Sequence, residues 1–172
     1  RDAQLWSIVE KAAADGALHH GAALFWLKHE DARWRPGSLW KGFSRLLPND
    51  TKHAAKHAML DLLAERENAN NLLVRTLQAC RDGIRSDGMI WGMASYALAN
   101  QGLYWSMPHW LADWAQRTDV PAWGLNNLAL GLRATGRDEL AADVSHKSLE
   151  QMSENHEAMI WLAADAARHA DM

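Results

Sequence analysis

Residues 122–155 read AWGLNNLALGLRATGRDELAADVSHKSLEQMSEN, and the way this stretch recurs decides the fold. It reads as two short amphipathic helices joined by a tight turn at Thr135-Gly136-Arg137. In the first helix Leu125, Leu128 and Leu132 follow the three- and four-residue spacing that gathers side chains on one face. A step back of 34 residues, the length of the stretch, meets the pattern again. Gly136 falls on Gly102, Leu125 on Trp91, Leu128 on Ala94 and Leu132 on Leu98. A helix pair repeated at such a period marks a helical-repeat protein, because one hairpin cannot bury its apolar face alone and its neighbours must stack on it.

Working outward, the chain reads as about nine helices with short connections and no strand. Toward the N-terminus the pattern predicts helices over 88–101, closed by Gly102, and over 70–82, stopped by Gly83. A further helix is expected over 52–66, capped by Thr51. Pro108 suits a first helical turn, so a helix is predicted over 107–117. Asp31 to Gly37, with Trp34 and Pro36-Gly37, reads as a turn. The expected organisation is one helical-repeat domain over 1–172, in three parts: degenerate helices over 1–53, three 34-residue units over 54–155 and a terminal helix over 156–172.

The 122–155 stretch resembles a tetratricopeptide repeat. The residues that carry the resemblance are Leu125, Leu128, Ala129, Leu132, Gly136 and Ala141, with Ser145, Ser148 and Ser153 at the later positions. Ser145 and Ser153 depart from that family's aromatic and proline. The preceding unit supplies Trp91, Ala94, Ser95, Leu98, Gly102, Met107, Leu111, Trp114 and Asp119. The unit before it is weaker and carries Asn68 where the glycine belongs. Sel1-type repeats fit worse, having a longer period. The resemblance implies an all-α, right-handed α-α superhelix whose first helices line a concave groove for peptides or extended protein segments.

Carried onto this sequence, the family's groove positions are Trp123, Asn126, Asn127, Leu130 and Arg133 in the best unit, and Met89, Met93, Tyr96 and Asn100 in the unit before. A side-chain amide both donates and accepts, so Asn126 and Asn127 suit a peptide backbone. Arg133 suits a carboxylate. Most of the ten tryptophans are expected in the core, with Trp105, Trp123 and Trp34 placed near turns or the groove. The last helix carries Ile160, Trp161 and Leu162 with no following partner, which makes self-association a rival reading. A second rival is a regulatory or substrate-presenting segment of a larger enzyme such as a glycosyltransferase, suggested by the run Leu125-Asn126-Asn127-Leu128-Ala129.

No catalytic set is read from the sequence. There is no GxSxG elbow, no GxxxxGK[ST] loop and no GxGxxG turn. His53 and His57 have a chelating spacing, but Lys56 sits beside them and the Glu of HExxH is missing, so no metal or other cofactor is expected. The net charge of −3, with mixed signs, does not suit a nucleic-acid partner. No apolar run approaches the ~20 residues that a membrane helix needs. The single cysteine, Cys80, rules out an internal disulfide and suits a reducing compartment, so a cytoplasmic location is expected. The chain opens at Arg1 with no leader, as a processed chain or a segment of a longer protein would.

Overall fold

A computed structural model describes residues 2–32 and 37–170, so Trp34 and Pro36 of the predicted turn lie outside the described residues. The described residues are all-helical, with eleven α-helices and no strand. They form two compact units, divided between Gly83 and Ile84. The first holds α1 (Asp2–Ala14), α2 (His20–Asp31), α3 (Ser38–Leu46), α4 (Ala54–Ala64) and α5 (Asn70–Ala79), and the division falls within α6 (Arg81–Ser86). The second holds α7 (Gly88–Asn100), α8 (Met107–Trp110), α9 (Ala122–Ala134), α10 (Asp138–Gln151) and α11 (His156–Ala170).

Helices α2, α4, α7, α9 and α11 begin at His20, Ala54, Gly88, Ala122 and His156, each 34 positions after the last. The turns between helices follow the same register. Gly102 and Gly136 both have positive φ, 65° and 74°. In each turn the next N–H reaches back five residues, Leu103 to Leu98 O and Arg137 to Leu132 O, both at 2.9 Å. That bonding satisfies the helix-end carbonyls and needs a left-handed residue, which glycine adopts without a Cβ clash. Asn68, one period before Gly102, takes φ 55° in glycine's place. Asparagine tolerates this region better than most side chains, so the turn survives the substitution.

Three local expectations are corrected. The first amides of α4 are satisfied not by Thr51 but by Asp50, whose carboxylate accepts from Ala55 N at 3.0 Å and Lys56 N at 2.9 Å. The predicted helix 70–82 breaks at the buried Cys80 and restarts as α6, which runs through Gly83. The predicted helix 107–117 is only α8, flanked by single 3-10 turns at Tyr104–Ser106 and Trp114–Gln116. Side chains in this segment serve other elements. Asp113 accepts the indole N–H of Trp91 at 3.0 Å, and the buried Arg117 donates to the carbonyls of Ile84 and Arg85 at 3.0 and 2.8 Å. The break at Cys80 makes two helices of one and so adds to the helix number, whereas the 107–117 segment keeps a single, shortened α-helix.

Each unit has its own apolar centre. In the first, Trp26, Leu27, Phe43, Leu46, Met59 and Leu63 are fully buried, with Trp6 edge-on to Trp26 at 4.2 Å. In the second, Trp91, Leu98, Leu111, Leu125, Leu132 and Val144 are buried.

Candidate interaction face

Helices α7 and α9 approach closely because their contact is built on glycines. A Cβ at Gly124 would lie 3.0 Å from the Cα of Gly92, and one at Gly92 would lie 2.8 Å from the Trp123 ring. A Cβ at Gly88 would meet the Asp119 carbonyl oxygen at 1.9 Å. The absence of side chains at these positions lets the Trp123 indole lie across α7. Met89 and Trp123 occupy the same place in consecutive first helices, and both stay accessible, at 48% and 40% exposure. Tyr96 and Leu130, which also correspond, are half-buried, and Asn100 is exposed. Met93, grouped with them from the sequence, is buried at 7% and presents little surface. Trp105 is 75% exposed in the 3-10 turn after α7.

The two adjacent asparagines point to opposite neighbours, as a turn of about 100° per residue requires. Asn127 reaches back to α7, with Nδ2 3.4 Å from Ser95 Oγ. Asn126 reaches forward. Its Nδ2 donates to Asn155 Oδ1 at 3.1 Å and to Glu157 Oε2 at 2.9 Å, and its Oδ1 accepts from Asn155 Nδ2 and Ser148 Oγ, both at 3.0 Å. Asn155 Oδ1 also accepts from Ala158 N at 3.3 Å in the first turn of α11. Asn126 thus joins α9, α10 and α11, and its hydrogen-bonding capacity is taken up within the chain.

Arg133 is likewise engaged inside the unit. Its Nη2 donates to Asp165 Oδ2 at 2.9 Å and to Ser145 Oγ at 3.2 Å, and its guanidinium lies 4.9 Å from the Trp161 ring centroid. The side chain is nine-tenths buried. Its Nε and Nη1 make no hydrogen bond among the described residues. Burial opposes ionisation of Asp165, but hydrogen bonds from Arg133 and Arg168 outweigh it and hold the carboxyl below its ordinary value. The expected carboxylate partner of Arg133 is therefore met by a residue of this chain. Of the terminal set, Ile160 is exposed, Trp161 is half-buried against Arg133, and Leu162 is half-buried beside α10.

The parts that Asn155, Asp165 and Arg117 play in tying helices together were not legible in the sequence. Each has at least one partner about thirty residues away, Asn126, Arg133 and the Ile84 carbonyl respectively, and periodicity registers only apolar faces. Arg117 clamps Asp119 with two bonds, Nε to Oδ1 at 2.9 Å and Nη2 to Oδ2 at 2.8 Å. That hydrogen bonding lowers the Asp119 pKa.

In the first unit, His57 stacks on His20 with centroids 4.0 Å apart, and His20 Nε2 lies 3.1 Å from Asp61 Oδ2. Among the described residues no group of three or more His, Cys, Asp or Glu is arranged to hold a metal ion. Burial pushes the Cys80 thiol up to about 12, so it has almost no thiolate at neutral pH. No described helix is long and apolar enough to cross a membrane. Comparison with known protein families, with curated proteins and with solved structures finds no match to this chain.

Proposed function

We propose that the protein is a helical-repeat interaction module of tetratricopeptide-like architecture, its hairpins forming turns of a right-handed α-α superhelix, and that it binds an extended peptide or protein segment across α7 and α9. The observation that carries the reading is the constant 34-residue register of five helix starts, which brings Met89 and Trp123 to equivalent, accessible positions on successive first helices. The chemistry of that face differs from an amide-lined groove. Asn126, Asn127 and Arg133 are tied within the chain, whereas Met89, Trp123, Tyr96 and Leu130 offer apolar and aromatic surface. Such a face suits a peptide with spaced aliphatic or aromatic side chains. An indole laid against Gly92 is an anchor of the kind that dominates binding energy.

The test is selection of a random 12-residue peptide library on the full chain, followed by affinity measurement on variants. Enriched peptides should carry aliphatic or aromatic residues. Trp123→Ala should weaken them by about tenfold or more, the loss of one hot-spot side chain. Equal binding by wild type, Trp123→Ala and Met89→Ala would remove this face from the account.

A further inference from the structure

A thioether on the α7–α9 face sits where its oxidation would matter. Of the methionines among the described residues, Met59, Met93 and Met107 are buried, whereas Met89, Met152 and Met159 are 48%, 53% and 44% exposed. Met152 follows α10 and Met159 lies on α11, so of the accessible three only Met89 belongs to α7 or α9. Met89 precedes Gly92 by three residues on α7, a spacing that makes neighbours on a helix surface. The Trp123 indole rests against Gly92, where a Cβ would lie 2.8 Å from Trp123 Cη2 and 2.7 Å from Pro121 Cγ. Tyr96, four residues after Gly92, is half-buried on the same side of α7. Met89, the indole in the notch that Gly92 leaves, and Tyr96 therefore adjoin along one apolar strip.

We infer that Met89 is a modification site, and that oxidation of its sulfur by a hydroperoxide turns the α7–α9 face from holding its ligand to releasing it. The sulfur lone pair attacks the distal oxygen of the hydroperoxide, and an S–O bond forms as the O–O bond breaks. The thioether loses two electrons and becomes a sulfoxide. The hydroperoxide is reduced to water or an alcohol, the proton of its transferred oxygen passing to the departing oxygen. An apolar, flexible side chain is thereby made strongly polar. A ligand side chain seated on Met89 would then bury an unpaired oxygen, or leave water at the edge of the indole. An aromatic anchor holds its partner well only where its surroundings exclude water. Met93, one turn along, is only 7% exposed, and Cys80 is buried, so neither competes for the oxidant. The switch rests on the peptide-binding reading of this face and adds its regulation.

The test uses the full chain and a library-selected peptide free of methionine and cysteine. The chain is treated with hydrogen peroxide, the peroxide is removed with catalase, and affinity is measured beside mass-spectrometric mapping of each methionine. Sulfoxide should form at Met89 well before Met59, Met93 or Met107, and affinity should fall by about tenfold as it forms, with unchanged helical circular dichroism. Methionine sulfoxide reductases with a thiol reductant should restore the affinity. A chain carrying Met152→Leu and Met159→Leu should stay as sensitive to peroxide as the wild type. The Met89→Leu chain should keep after peroxide whatever affinity it had before. Unchanged affinity with Met89 fully converted overturns the inference, as does a loss that also appears in Met89→Leu. Two failures stay distinct. If Trp123→Ala and Met89→Ala bind the peptide as the wild type does before any oxidation, the reading of the face falls and the switch with it. If those variants lose binding while the Met89 sulfoxide form retains it, the switch alone falls.

Discussion

Replacing Asp165 with alanine removes a carboxylate that faces Arg133 from α11. The Arg133 side chain is 7% exposed and that of Asp165 12%, so the pair is largely withdrawn from water. Breaking a buried pair by deleting one partner costs roughly 3–5 kcal/mol, mainly because the other charge stays buried. Two features reduce this. Arg133 keeps Ser145 and the Trp161 ring, the latter worth about 1 kcal/mol as a cation–π contact. The second partner of Asp165, Arg168, is 58% exposed, so its loss adds only about 0.2–1 kcal/mol. The expected destabilisation is therefore about 2–4 kcal/mol, read by urea denaturation followed by circular dichroism. Arg133→Met on the Asp165→Ala background should recover much of it, since no charge is then left stranded. The acid response follows the same pair. The Asp165 carboxyl is held below its ordinary value in the folded chain, so its contribution is complete above the unfolded pKa of about 3.9 and is lost as pH falls through the lower folded value. The gap between wild type and Asp165→Ala should be constant from neutral pH to about pH 5 and narrow below about pH 4. A destabilisation under about 1 kcal/mol at pH 7, or no recovery in the double variant, refutes the reasoning.

Glycine substitutions should separate close approach from mere flexibility. Gly88→Ala sets a Cβ against the Asp119 carbonyl and should cost about 2–3 kcal/mol, whereas Gly21→Ala meets nothing within 4 Å and should stabilise by about 0.5–1 kcal/mol; thermal melts report both. Cys80 should resist a thiol reagent at pH 8 in the folded chain and react fully in denaturant, so reaction under native conditions would contradict its burial.

The parts of the fold legible in the sequence were those written in apolar periodicity and turn glycines. Leu125, Leu128, Leu132 and Gly136 announced α9 and its turn, and all are where their spacing implied. The segment after Gly102 was not legible. Its apolar content resembles a helix, but Asp113 and Arg117 are drawn to Trp91 and to the carbonyls of Ile84 and Arg85, and no local pattern encodes such partners. The candidate face was read only in outline. The repeat grid placed Met89 and Trp123 at positions that are exposed, but it could not tell an amide left open to solvent from one that ties helices together. Asn126 does the latter because Asn155 and Ser148 are already within reach. A position in a repeat fixes the direction of a side chain, and the partner waiting there fixes its use.

The most direct test of the interaction-module account is a nuclear magnetic resonance titration of the labelled chain with a library-selected peptide. The account predicts that the Trp123 indole N–H and the Met89 methyl shift together, with smaller changes at Tyr96 and Leu130, while the Trp26 indole in the first unit stays fixed. Shifts confined to the first unit, with Trp123 and Met89 unmoved, would contradict it.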